Sequence, residues 1–261
     1  MLVRWIALAL SLFSRHPVES PPATATFQYR IEQRSENRID LSVFGAPEQV
    51  HNTAHAWYVT VSYTDSAGGA ALVATLDSLQ VDLGTNPVAK ESIDSAAGTI
   101  YRGFVDARRK IQSITASKNS TFGAQFESVL HSFHPAFKPD SKTGDTWVDT
   151  LNVKLDTPSI KTTSQSIRNY SLTGTEARSG VEAFRVEVTF TETSSGTLET
   201  PGGPAELEGT TQGRGTAFFG PGGQYLGGES GSTGEGNITI ATAPSAIPIK
   251  TTTNTTVTLV R

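Results

Sequence analysis

Short apolar runs that alternate residue by residue, each cut off by a turn signal, recur along nearly the whole chain and restrict it to β architecture. Successive side chains of an extended strand point to opposite faces, so alternation marks a segment with one buried face and one wet face. Residues 56–64 (AWYVTVSYT) show it most clearly and stop at the turn Asp65-Ser66-Ala67-Gly68-Gly69, from which 71–83 return. The stretches 99–105 and 111–116 flank Asp106-Ala107-Arg108-Arg109 and read as a hairpin. Further strands are expected at 26–32, 146–155, 160–173, 181–193, 209–219, 224–229, 237–242 and 249–260. The last (IKTTTNTTVTLV) sets Ile249, Val257 and Leu259 on one face and threonine over most of the rest, which suits a half-exposed edge or a closing strand.

One segment breaks the two-residue period. In 121–133 (TFGAQFESVLHSF) Phe122, Phe126, Val129, Leu130 and Phe133 repeat at helical spacing and draw a single apolar face. Ser120 or Thr121 can cap its start and Pro135 ends it. It is the only substantial helix that the sequence predicts.

The alternating runs also resemble one another. Residues 56–65 align with 183–192, apolar on apolar and aromatic on aromatic, each ending in threonine and a carboxylate. Arg102-Gly103-Phe104-Val105, a four-residue tip and Lys110-Ile111 align with Thr216-Ala217-Phe218-Phe219, GPGG and Gln224-Tyr225. Alternation by itself produces part of this likeness; the shared order of features argues for a duplicated meander. Each half alone would leave an apolar face uncovered. The expected fold is therefore mainly β: one large, curved, half-barrel-like antiparallel sheet made of two repeated meanders, with the helix between the halves. The alternative is a β-sandwich. The corresponding organisation is a signal peptide over 1–25 and a single β domain over 26–261, divided into 26–118, a helical linker at 119–139, and 140–261.

Composition narrows the functional classes. The formal net charge is −4 and the basic residues form no stripe, so nucleic acid is not an expected partner. No cysteine occurs among the 261 residues, which removes disulfides, thiolate chemistry and cysteine zinc sites, and a lipobox with them. Arg4, the apolar run Trp5 to Phe13 and the small-x-small pattern Ala23-Thr24-Ala25 make an export signal. The apolar run is too short for a bilayer, which takes about 20 residues, and the mature chain offers no transmembrane span. The expectation is an exported protein, periplasmic or extracellular, that is not a lipoprotein.

Familiar chemical motifs fail on spacing. The stretch 212–232 (QGRGTAFFGPGGQYLGGESGS) carries eight glycines, yet Gly213-Arg214-Gly215 lacks the third glycine and the following helix of a dinucleotide fingerprint. Gly228-Glu229-Ser230-Gly231-Ser232 lacks the final glycine of a nucleophile elbow. A hairpin explains the stretch better. His51 with His55 and His131 with His134 are close enough in sequence to imagine a metal, but loop and helix-end roles suit them better. Asp140, Asp145 and Asp149 miss calcium-loop spacing. The sequence thus reads as non-enzymatic and calls for no cofactor and no metal.

At 133–147 (FHPAFKPDSKTGDTW) and 213–223 (GRGTAFFGPGG) the chain resembles an uncharacterised family of exported bacterial β proteins. That family carries a proline followed by Gly-Asp-x-Trp, then a Gly-x-Gly-x-x-x-Phe hairpin. The matching residues are Pro139, Gly144-Asp145-Thr146-Trp147, Gly213, Gly215, Phe219 and Gly223, with Gly220 where the pattern often has aspartate. The inferred architecture is also similar to periplasmic lipoprotein carriers of the half-barrel type. That likeness rests on architecture alone and does not by itself establish function. The aromatic and apolar residues Trp57, Phe122, Phe126, Leu130, Trp147, Phe184 and Phe218 are the candidate lining of an apolar cavity between the curved sheet and helix 121–133, holding a lipid or other apolar small molecule; ordinary core packing is their other reading. A structural or adhesive surface module without a cavity is the second functional expectation, and a hydrolase with an unrecognised site the third.

Overall fold

The structure, a computed structural model, describes residues 24–84, 89–108, 110–138, 140–156, 160–178, 180–200, 203–241 and 245–261. The proposed signal segment falls outside this set, apart from Thr24 and Ala25, which open the first strand.

Eleven strands follow one another as β1 (Thr24–Ile39), β2 (Gln49–Ser66), β3 (Gly69–Asp82), β4 (Ile100–Asp106), β5 (Ile111–Ala116), β6 (Thr146–Asp156), β7 (Ile160–Arg178), β8 (Val181–Thr200), β9 (Gly203–Phe219), β10 (Tyr225–Ile240) and β11 (Ile247–Leu259). Helix α1 (Lys90–Ala96) joins β3 to β4, and α2 (Thr121–Phe133) joins β5 to β6. All eleven strands lie in one antiparallel sheet in the order β5-β4-β3-β2-β1-β11-β10-β9-β8-β7-β6. Two meanders, β1–β5 and β6–β11, therefore meet where the first strand pairs with the last, from Tyr29 opposite Leu259 to Ile39 opposite Ile249. The sheet curls into a half-barrel, and the sandwich alternative does not apply.

The strands are longer than their apolar alternation indicated. The polar run 33–39 continues β1, and 49–55 precede the expected start of β2. Two predicted strands, 224–229 and 237–242, are one strand, because Ser230-Gly231-Ser232-Thr233-Gly234-Glu235-Gly236 stay paired on both sides. The aligned segments of the two halves do not occupy equivalent places strand for strand. β3 intervenes between β2 and β4, whereas β8 pairs directly with β9.

Curvature has local causes. Register shifts interrupt β2/β3, β4/β5, β7/β8 and β9/β10, and each bulge adds twist. At Gly215 and Gly228 the neighbouring strand comes so close that a Cβ would meet the carbonyl oxygens of Glu229 and Thr216. The expected hairpin forms, β9 turning through Gly220-Pro221-Gly222-Gly223 into β10, while Gly215 and Gly228 in its arms permit the close approach of the strands.

Helix α2 forms as expected: Ser120 Oγ accepts the Gly123 amide at 3.1 Å, and Phe122, Phe126, Leu130 and Phe133 are buried. It packs near β5 and β6, the two edges of the sheet. Lys110 spans the same gap, its ammonium 2.7 Å from Asp149 Oδ1 and 2.5 Å from the carbonyl of Thr150. The Phe137 amide donates to the carbonyl of Arg108 at 3.0 Å. The edges, otherwise open to further pairing, are thus covered and bridged. The hairpin expected around Asp106-Ala107-Arg108-Arg109 is thus tied across the seam through Lys110 and Arg108.

Candidate functional site

Residues directly opposite in an antiparallel pair share a face, so the register assigns the concave wall row by row. Beneath α2 a row runs Trp57, Ile31, Val257, Gly228, Ala217 and Val186. Tyr29, Val59, Val61, Leu72, Leu76 and Tyr101 continue the same core towards β4. Aromatic rings close this end: Phe133 meets Tyr29 edge-on at 4.9 Å, and Phe137 stacks on Phe219 at 4.3 Å. The hydroxyls stay bonded, Tyr29 Oη donating to the carbonyl of Tyr225 and Tyr101 Oη to that of Gly123.

Beyond the helix the same face changes character. The next rows carry Gln33, Thr255, Ser230 and Gly215, then Ser35, Thr253, Ser232 and Gly213. On β7 and β8 these two rows continue into Val188 and Tyr170, then Phe190 and Arg168, and the row after them holds Thr211, Glu192 and Ser166. A cavity of about 360 Å³ lies here, with Ile31, Phe133, Tyr170, Val188, Phe190 and Val257 as apolar wall and Gln33, Arg168, Glu192 and the hydroxyls as polar wall. A second space of about 340 Å³ shares Gln33, Val129, Ser132, Arg168 and Glu192 with it and extends to His55, Trp57 and Leu151.

Arg168 faces Asp149 across β6/β7, but that carboxylate is held by Lys110. The guanidinium instead makes two long bonds, 3.4 Å each, to Ser166 Oγ and the carbonyl of Ser132. Burial pushes the Glu192 carboxyl above its ordinary value, while the nearby positive charge of Arg168 and Ser164 pull it down in part. Burial likewise lowers the His55 imidazole, which stacks flat on Trp57 with centroids 5.1 Å apart. Among the described residues no group of three or more His, Asp or Glu side chains is placed to hold a metal ion.

The sequence candidates divide accordingly. Phe122, Phe126 and Leu130 are buried between α2 and the sheet as packed core. Phe126 lies 6.3 Å from Trp57 and 5.3 Å from Tyr101, ring to ring. Trp57 borders the smaller space, and its indole N–H has no acceptor among the described residues. Trp147 stacks on Tyr170 at 5.4 Å and donates to the carbonyl of Ala136. Phe184 packs on Phe137. Phe218 needs correction: Ala217 and Phe219 on either side join the core, so Phe218 turns to the convex side, where the Arg178 guanidinium lies 3.9 Å over its ring. Sequence reasoning passed over Arg168, Glu192 and Gln33. The available signal was a charged or amide side chain at an inward position, as in Ser166-x-Arg168-x-Tyr170-x-Leu172.

The convex positions of β1 are Arg30, Glu32, Arg34, Glu36 and Arg38, so that wall meets water rather than hydrocarbon. No described helix is long and apolar enough to cross a membrane.

No family model matches the chain, and no curated protein does. Among solved structures, a mutant of Rhodopseudomonas blastica porin overlaps with a TM-score of 0.27 at 7% identity, over 89% of this chain and 100% of the porin. OmpT of Vibrio cholerae overlaps with a TM-score of 0.19 at 6% identity, over 91% of this chain and 99% of its own. Overlaps this loose bear on neither the fold nor the function of the present chain.

Proposed function

We propose that this is an exported, non-enzymatic envelope protein that holds a lipid or similar small ligand in its concave face. The observation that carries the reading is the cavity itself. Its volume of about 360 Å³ falls near the small end of the ~300–1,000 Å³ typical of ligand pockets, and its wall is apolar on one side and hydrogen-bonding on the other. The signal-like start supports the exported part of the reading. The ligand sits beside α2 rather than under it, since the space beneath the helix is filled by Phe122, Phe126 and Leu130.

Native mass spectrometry of protein purified from its host tests the reading, followed by titration of delipidated protein with a fluorescent single-chain fatty acid. A co-purifying acyl species and saturable binding that Val188→Trp abolishes are expected. Protein that stays empty and binds no acyl probe at micromolar concentration would overturn the reading. The second reading, a structural or adhesive module, draws on the convex threonines of β8 and β11, such as Thr189, Thr191, Thr252 and Thr256. It predicts that Val188→Trp changes nothing, while substitutions on the convex face abolish attachment to cells or matrix.

A further inference from the structure

The cavity wall carries a cation, Arg168, and an anion, Glu192, which feel each other's charge without closing into an ion pair. Phe190 stands opposite Arg168, and Glu192 opposite Ser166, so Arg168 and Glu192 are diagonal neighbours on β7 and β8, about 7–8 Å apart at the backbone. No ion pair joins them among the described residues. The carboxylate that the register sets opposite Arg168, Asp149, is taken by Lys110. Glu229 also borders the space, but it falls on the convex-facing row with Thr216 and Thr256. The other groups include the neutral hydrogen bonders Gln33 and Ser132, the hydroxyls of Ser230, Thr253 and Thr255, and His55 at one end.

A purely anionic head group would leave Glu192 facing like charge, and a purely cationic one would do the same to Arg168. Both charges are half-buried, and an occupant carrying both signs gives each an opposite partner. We propose that the cavity takes a single-chain amphiphile with a zwitterionic head group, its anionic part on Arg168 and its cationic part on Glu192. The tail lies along Ile31, Val188 and Val257 towards Phe133. This rests on the ligand-binding reading above and names the ligand class. The volume suits one chain rather than two.

The test titrates delipidated full-length protein with lipids of one acyl chain and four head groups. These are lysophosphatidylethanolamine, the free fatty acid, an alkyltrimethylammonium and a monoacylglycerol, with free glycerophosphoethanolamine as a headgroup control. The zwitterionic lipid is expected to bind at least tenfold more tightly than the other three, and the free head group not measurably. Arg168→Gln and Glu192→Gln should each reduce that preference to twofold or less. The charge swap Arg168→Glu with Glu192→Arg should recover most of it, with thermal melts confirming folded protein. Equal binding of all four lipids overturns this inference but leaves the ligand-binding reading standing. Tightest binding of the fatty acid also overturns it, as does binding of the free head group as tight as that of the lipid. Binding of none overturns both.

Discussion

The two ends of the concave face are built on the same strands and the same alternation, yet they do different work. Under α2 the inward positions are Trp57, Ile31, Val59 and Leu76, and the helix fills what space they leave. Farther along β1 and β11 the inward positions become Gln33, Ser35, Thr255 and Thr253, and no described element covers them. Stability therefore concentrates at the covered end, where large apolar side chains leave water. The open end keeps its shape through backbone pairing and hydroxyl bonds, such as Ser35 to Thr253 at 2.9 Å. A site that must admit a ligand belongs where the sheet is held by its backbone and the side chains leave room.

The sharpest way to break this contrast is Phe126→Ala. The ring is fully buried between Trp57 and Tyr101, and its loss should cost about 3–5 kcal/mol in urea unfolding. If it costs no more than a substitution at the open end, the two ends are not distinct. Next is Gly215→Val, which forces a side chain against the backbone of β10. A loss of about 2–3 kcal/mol is expected, with ligand capacity falling in the same titration. Lys110→Met cuts the bridge across the seam. It should cost about 1–2 kcal/mol and speed amide exchange in β5 and β6 while leaving β9–β11 unchanged. Thr253→Ala, at the open end, should cost only about 0.5–1 kcal/mol by the same unfolding assay.

The smallest effect is visible only through pH. Burial raises the Glu192 carboxyl in the folded protein, so the folded state holds that proton more tightly than the unfolded chain. Stability from this group is present below the unfolded value near 4.5 and is lost as pH rises through the folded value. Glu192→Gln should therefore raise the melting temperature at pH 7.5 relative to the parent, and the gain should vanish by pH 4. The half-buried His55 works in the opposite sense. Its folded value is lowered, so stability falls as pH drops below 6.5, and His55→Gln should flatten that limb.

Residues 56–64 and 121–133 announced their structures because burial of one face writes a period of 2 or 3.6 into the sequence. The segment 230–236 gave no such sign. A strand of serine, glycine and threonine has no apolar face to reveal it, and only its pairing with β9 and β11 holds it extended. The same reason hid the site. Gln33, Arg168 and Glu192 lie far apart in sequence, and each looks like a surface residue alone. The aromatics, easy to see, turned out mainly to be core.

By itself the sequence determined an all-β chain, one amphipathic helix between two meanders, and the absence of cysteine chemistry, because these follow from local periodicity and composition. The tertiary structure alone decided that β1 pairs with β11 and that α2 and Lys110 meet the two open edges. It also decided that Gly215 and Gly228 permit close strand approach and line the cavity. Those outcomes depend on register between distant strands, and register is a property of the assembled sheet that no single segment encodes.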